Sequence, residues 1–387
     1  MMRQPYGHSN VTFKAVDSFM SETFSLFRLS DFHGFSWRKA LPFAHFALLV
    51  SISGCDTDPI DEPYVPVSYT LNIPQGLPPM IVPADNPMTV EGVALGRRLF
   101  YDELLSGDNT MSCGTCHLQE NGFAEQLQVS EGITGEIGTR NAMPLFNLGW
   151  VQSGLFWDGR EATLEAQALD PVRNPIEMNA NWIEVEAKLN AHSDYPLLFK
   201  QAYGVDRIDS LTVAKAIAQF VRTLISGNSR FDAWYNRQET QLTTQELRGF
   251  VLYTTEAADC FHCHGLGGLI TDNSYQNNGL DSQFSDMGRY LVTGNEADRG
   301  RFRTPTLRNI EVTAPYMHDG RFFTLEEVVD HYSDHVQIST TISPTMELVG
   351  LGGAQLTLQQ KEDLIAFLRT LTDDSFLTNP AHSDPGQ

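Results

Sequence analysis

The run Cys113-Gly114-Thr115-Cys116-His117 recurs in type as Cys260-Phe261-His262-Cys263-His264. Two thiols separated by two residues and followed at once by an imidazole form the pattern that attaches a c-type haem. The sulfurs add to the two porphyrin vinyl groups, and the histidine is carried to one axial face of the iron. Four of the five cysteines are used in this way. A zinc site would draw on both thiol pairs jointly, and a thioredoxin-like pair has no need of histidine at the fifth position, so neither accounts for two copies of the whole pattern. The chain is read as carrying two covalently bound haem c groups, with His117 and His264 as ligands of the first and second iron.

Outward from these motifs the apolar spacing is helical. Val90, Val93, Leu95, Leu99 and Phe100 predict a helix from an N-cap at Thr89 to about 106, and 118–155 reads as haem-wrapping loop. Helical patterning returns at 160–170, 181–203 and 210–226. Capping boxes at Thr243/Glu246, Thr324/Glu327 and Thr357/Gln360 open three more helices, with 265–315 read as loop and no strong candidate for a strand. Phe220-Val221-Arg222-Thr223-Leu224 is answered by Phe367-Leu368-Arg369-Thr370-Leu371, each 103 residues after its haem histidine. Asp158-Gly159-Arg160 with Thr163-Leu164-Glu165 is answered by Asp319-Gly320-Arg321 with Thr324-Leu325-Glu326, and Arg140-Asn141 by Arg308-Asn309. The fold class expected is mainly α: two tandem cytochrome c-like haem domains related by internal duplication. The N-terminal domain is placed at 86–228, the C-terminal domain at 229–375, and a tail at 376–387.

The region ahead of these domains carries an address. Residues 40–54 are an apolar run after Arg38-Lys39, of signal-peptide length and too short to span a bilayer, ending in small residues before Cys55. Ile52-Ser53-Gly54-Cys55 resembles a lipobox, so 1–54 reads as a lipoprotein-type signal with lipidation at Cys55 and a start that could fall downstream, as at Met20. Residue Asp56 resembles an inner-membrane retention signal, and 55–85 reads as a Pro- and Asp-rich tether. Covalent haem c is also attached outside the cytoplasm, so both readings give a periplasmic protein that meets the membrane only through its lipid. The formal charge is −22, and −24 once 1–54 is set aside. Nucleic acid is a poor partner for such a surface, whereas a basic electron-donor protein would be steered towards it.

The halves differ where a second axial ligand is needed. An offset of 161 residues puts Pro171 opposite Tyr332. The Tyr332 phenol is of a known ligand type and shares its helix face with Leu325, Val328 and Val329, while proline has no ligand atom. The first haem thus reads as open to a small molecule and the second as closed. His331, turned about 100° round the helix and read as solvated or as standing behind a ligand, is the runner-up ligand, with Met287, Met317 and Met346 behind it and Met143 for the first iron. Peroxide chemistry at an open haem needs a group that moves a proton between the two oxygens. Glu177 suits that role, Gln167 could hold the bound oxygens, and Trp157 could pass an electron between haems. On residue type alone, a surface polar role for the first two and a core role for the third are favoured.

Phe156-Trp157-Asp158-Gly159-Arg160, Gln167, Pro171, Asn174-Pro175-Ile176-Glu177-Met178, Leu307-Arg308-Asn309 and Thr313-Ala314-Pro315-Tyr316-Met317-His318-Asp319-Gly320 resemble the bacterial di-haem cytochrome c peroxidases and their relative MauG, over about 75–375. The resemblance implies a peroxidatic haem on His117 and an electron-transfer haem on His264. It implies Trp157 between the haems, Gln167, Pro171 and Glu177 at the active site, and a calcium ion between the domains held by Asn141, Thr313 and Pro315. It implies hydrogen peroxide as substrate, a cytochrome or small copper protein as donor, and a homodimer. Typical peroxidases have a histidine in the loop after the first motif and a methionine on the second haem. The absence of that histidine and the presence of Tyr332 are MauG-like, which keeps open the oxidation of tryptophan or tyrosine on a partner protein, although Ala258 stands where MauG has a surface tryptophan. A non-catalytic di-haem electron carrier is the third reading.

Overall fold

The structure, a computed structural model, describes residues 64–386; the expected leader, Met20, Cys55 and Asp56 lie outside the described residues. In chain order the helices are α1 (Val90–Phe100), α2 (Cys113–Cys116), α3 (Leu164–Arg173), α4 (Trp182–Ala191), α5 (Tyr195–Tyr203), α6 (Ser210–Thr223), α7 (Arg230–Tyr235), α8 (Thr244–Tyr253), α9 (Phe261–His264), α10 (Tyr290–Thr293), α11 (Leu325–Asp334), α12 (Leu358–Arg369) and α13 (Asp374–Leu377). Among the described residues, one antiparallel pair, β1 (Tyr275–Gln276) with β2 (Phe302–Arg303), and short 3-10 turns complete the regular structure. Among the described residues no helix is long and apolar enough to cross a membrane.

Each haem motif is backed by a pair of crossed helices that meet at a glycine. In the first half α1 packs on α6, where a Cβ at Gly96 would lie 1.8 Å from the Ala216 carbonyl oxygen and 3.1 Å from Phe220 Cβ. In the second half α8 packs on α12, where a Cβ at Gly249 would lie 1.9 Å from the Asp363 carbonyl oxygen and 2.8 Å from Phe367 Cβ. Only glycine lets the backbones approach so closely. Around the first crossing Leu99, Phe100, Phe123, Tyr195 and Phe199 are fully buried, and around the second Tyr253, Phe367 and Leu371. Burial of a Leu or Phe side chain contributes about 1.5–3 kcal/mol before entropy is counted.

The 161-residue offset of the sequence recurs in the backbone. Thr163 and Thr324 each cap a ten-residue helix, α3 and α11, by accepting a hydrogen bond from the third residue of the helix. Each helix follows a tight loop closed by an isolated bridge, Leu155 with Glu161 and Tyr316 with Phe322. Each loop has left-handed residues at the same two places, Phe156 and Gly159 (φ +65° and +72°) and Met317 and Gly320 (φ +73° and +65°).

Several elements differ from the sequence expectation. The first helix stops at Phe100 because the Asp102 carboxylate caps a 3-10 turn at Glu103–Leu105. The span 181–203 holds two helices, since the chain turns at His192-Ser193-Asp194 and Pro196 starts the next. Helix α7 lies between the expected domain boundary and the capping box at Thr243, where no helix was expected, and the β pair lies in a stretch read as loop. From 64 onwards, the part of the expected tether that is described is packed against the body. Trp150 Nε1 donates to the Pro78 carbonyl at 2.9 Å, Gln75 donates to the Asn236 carbonyl at 3.0 Å, and Pro74 lies over Gly227. Within it Leu77 N–H donates to the Pro74 carbonyl at 3.2 Å, an isolated turn that leaves no periodic pattern. The C-terminal tail likewise crosses to the first half, with Arg97 Nε donating to the Ser383 carbonyl at 2.6 Å, Tyr101 donating to the His382 carbonyl at 2.7 Å, and His382 itself buried. Where the halves meet, the Asp373 carboxylate accepts from the backbone of Gly227 and Asn228 at 2.9 and 2.8 Å.

Candidate active site

The first motif forms α2, and the Thr115 hydroxyl accepts from the Ser112 backbone N–H at 3.0 Å to start the turn. Gly114 lies under the Tyr101 ring, where a Cβ would come within 2.5 Å of a ring carbon. The turn presents Cys113, Cys116 and His117 to a cavity of about 770 Å³. His117 Nδ1 donates to the Phe123 carbonyl at 2.7 Å, which leaves Nε2 as the free lone pair. Burial lowers the affinity of this imidazole for a second proton, against a smaller opposing pull from that carbonyl. Neither thiol is in a disulfide, and burial pushes both up to about 12. Two free thiols, one neutral imidazole and apolar walls that include Leu145, Leu155, Ile217 and Val221 are the donor chemistry and lining that a haem c requires.

Gln167 and Pro171 on α3, Glu177 in the loop beyond it, and Trp157 all line this cavity. The Glu177 carboxyl is raised by burial, partly offset by Asn174, whose amide donates to it at 2.7 Å, and by Arg160. Met143 and Met287 also reach the cavity. Among the described residues its lining histidines are His117 and, from the other half of the chain, His318.

The second motif closes a smaller cavity of about 220 Å³, lined by Cys260, Cys263 and His264 and by Leu307, Val328, Val329, Leu364 and Leu368. Both thiols are free and raised by burial, and burial lowers the His264 imidazole to about 4. The same donor set and apolar walls fit a second haem c. Tyr332 on α11 lines this cavity, as Pro171 on α3 lines the first. The Asn278 amide donates to the phenol oxygen at 3.0 Å, and burial pushes the phenol up to about 12. Met317 and Met346 line the cavity as well. His331 does not: it is 3% exposed, packed against Phe322 with Nε2 towards the carbonyl of Asn278, whose amide donates to Tyr332, so of its two expected placements it takes the one behind the phenol and not the solvated one. The reason is that the chain around 278 covers the helix face that the spacing left to solvent.

Among the described residues, four line both cavities: Asn141, Trp157, Arg303 and His318. They are linked through the backbone. Trp157 Nε1 donates to the Asn141 carbonyl at 2.9 Å, Asn141 N–H donates to the His318 carbonyl at 2.8 Å, and Arg303 N–H donates to the Trp157 carbonyl at 2.8 Å. His318 stacks on Phe302, with ring centroids 3.7 Å apart. Sequence reasoning named Trp157 and Asn141 and assigned no role to Arg303 or His318. The 161-residue offset places His318 opposite Trp157 and could have revealed it; nothing in the repeat marks Arg303. Asn141, Thr313 and Pro315 all line the second cavity. Asn141 Nδ2 donates to the Leu127 and Gln128 carbonyls at 3.2 Å, so its Oδ1 is left to accept or to ligate. Ala258, at the position of the implied relay, is buried.

Residues 90–240 match the sequence profile described as di-haem cytochrome c peroxidase. The methylamine utilization protein MauG of Methylorubrum extorquens is 37% identical over 292 residues, 75% of this chain and 80% of that protein. The cytochrome-c peroxidase IdrP1 of Pseudomonas sp. (strain SCT) is 34% identical over 343 residues, 80% of this chain and 88% of that one. A solved structure described as a MauG-like protein associated with microbial copper homeostasis superposes with a TM-score of 0.76 at 40% identity, over 82% of this chain and 99% of the other.

Proposed function

Since the chain belongs to the di-haem cytochrome c peroxidase family, which carries two haem c groups, we propose that it reduces hydrogen peroxide to water. Electrons from a small donor, a cytochrome or a copper protein, enter at the centre on His264 and pass to the centre on His117. The observation that carries this reading is the asymmetry of two equivalent helices: Pro171 lines the first cavity without a ligand atom, and Tyr332 brings a phenol to the second. When bound, haem supplies the redox-active iron at which the O–O bond is broken. The remaining steps belong to side chains. Glu177, whose carboxyl is raised by burial, takes a proton from the near oxygen and returns it to the far one, and Asn174 fixes its orientation. Gln167, which lines the same cavity, would donate a hydrogen bond to the peroxide. Trp157 stands on the wall between the cavities as the route for the electron. Asn141, Thr313 and Pro315 offer hard oxygen donors for a calcium ion that would brace that wall. The acidic surface suits a basic donor, and the leader pattern with Cys55 suits a lipoprotein on the periplasmic face of the inner membrane, with a homodimer as the family's usual assembly.

The test is steady-state consumption of hydrogen peroxide by the loaded protein with a reduced small c-type cytochrome. Sustained turnover is expected. Reaction of the diferric protein with peroxide but no turnover would overturn the donor half of the proposal in favour of oxidation of aromatic side chains on a partner protein. That second reading draws on Tyr332 and on the MauG likeness. Tyr332→Phe should alter the absorption and EPR signals of the second haem and leave the first unchanged. An unaltered spectrum would shift the ligand to Met317 or Met346, which share the cavity.

A further inference from the structure

Arg303, on β2, is 4% exposed, and no carboxylate among the described residues is paired with it. Its guanidinium has only long or soft partners: Nη1 to Asn273 Oδ1 at 3.3 Å, Nε to the Phe156 carbonyl at 3.4 Å and Nη2 to Met143 Sδ at 3.5 Å. Among the described residues the other buried arginines, Arg222 and Arg308, and the half-buried Arg140 that lines the first cavity, are paired. Arg222 meets Glu165 at 2.8 Å, Arg308 meets Asp232 at 2.7 Å, and Arg140 meets both Asp158 and Asp286 at 2.6 Å. Burial lowers the Arg303 guanidinium only to about 10, so it stays charged at physiological pH. A buried cation without an anion is unfavourable unless a ligand completes it.

The position of Arg303 says which anion. It lines both cavities, and its backbone is fixed at two points: the N–H donates to the Trp157 carbonyl, and the residue pairs with Tyr275 in the β ladder. In a c-type haem the thioether bonds hold the vinyl edge of the porphyrin, and the two propionates leave from the opposite edge. Each propionate edge therefore points away from its own cysteines, and the wall common to both cavities contains none of the four. A planar guanidinium with five donors can serve carboxylates on two sides. We propose that Arg303 is the shared counter-ion of the two haems, binding a propionate of each and coupling their charge states. It needs only the two haems and holds whichever substrate the protein takes.

The experiment is a spectroelectrochemical titration of the protein carrying both haems. A cation beside both porphyrins favours their reduced forms, so Arg303→Gln should lower both midpoint potentials together. A shift of tenfold in each reduction equilibrium corresponds to about 59 mV for a one-electron couple. Arg303→Lys, which keeps the charge but not the fork, should shift both by less. A fall in melting temperature with both potentials unmoved would overturn the proposal, as would movement of one potential alone. Should Arg303→Gln fail to take up haem, Arg303→Lys decides. Displacement of the propionate bending bands of both haems in resonance Raman spectra supports a shared counter-ion, and bands and potentials identical to the parent refute it.

Discussion

The two halves use one plan, a CxxCH turn backed by a glycine crossing and faced by a Thr-capped helix, and differ in what the facing helix presents. Pro171 and Tyr332 sit 161 residues apart at the same turn of equivalent helices, and each lines the cavity of its own half. The contrast lies in one side chain: at equivalent places the first cavity meets a pyrrolidine ring and the second a phenol, and under the proposed function the phenol oxygen would divide labour between the two centres. The same contrast appears in the packing. Arg222 and Glu165 form a buried pair, with side chains 4% and 12% exposed, while their counterparts Arg369 and Glu326 are 52% and 57% exposed and 3.4 Å apart.

The largest expected effect tests the division directly. Replacing Cys113 and Cys116 with Ala should halve the haem content by the pyridine haemochrome assay and abolish peroxide consumption. Replacing Cys260 and Cys263 should halve the haem equally but leave the binding of peroxide at the first centre. Loss of that binding in the second variant would break the comparison. Glu177→Gln comes next, with kcat expected to fall by about 10²–10⁴ and the spectrum of the second haem unchanged.

Stability separates the halves further. Arg222→Met strands the buried Glu165 carboxylate and should cost about 3–5 kcal/mol in denaturant unfolding. Burial pushes the Glu165 carboxyl up, but hydrogen bonds from Arg222 and Asn86 outweigh it and hold the group below its ordinary 4.5. The contribution of the pair is therefore fully present above pH 4.5 and is lost as the pH falls through the depressed value, so the gap between parent and Arg222→Met should close in acid. Gly96→Ala and Gly249→Ala should each cost about 1–3 kcal/mol, and to similar extents, because each Cβ would meet a helix carbonyl. Arg369→Met should change stability by less than about 1 kcal/mol, since an exposed pair is screened by water. A cost at Arg369 equal to that at Arg222 would erase the distinction.

Legibility in the sequence followed the range of each interaction. The capped helices around Thr243, Thr324 and Thr357 were visible because a cap and an apolar stripe lie within one or two turns of chain. The break in 181–203 and the 3-10 turn after Phe100 are set by single local residues, Pro196 and Asp102, that leave no apolar period, while the burial of His331 depends on the distant chain around 278. The wall between the cavities is the extreme case. Arg303 is placed by a two-residue strand too short to leave a pattern, and by a bond to the Trp157 backbone, 146 residues away.

By itself the sequence determined what is covalent or repetitive: two haem attachments, a mainly helical chain, matched halves, and a proline where the other half has a tyrosine. These are properties of residue type and spacing, which need no knowledge of the path of the chain. Tertiary structure alone decided which side chains share a cavity, that the segment from 64 and the tail are laid on the body, and that a lone buried guanidinium stands between the two centres. Those facts rest on contacts between distant segments, and a desolvated charge can be recognised only when everything that surrounds it is in place.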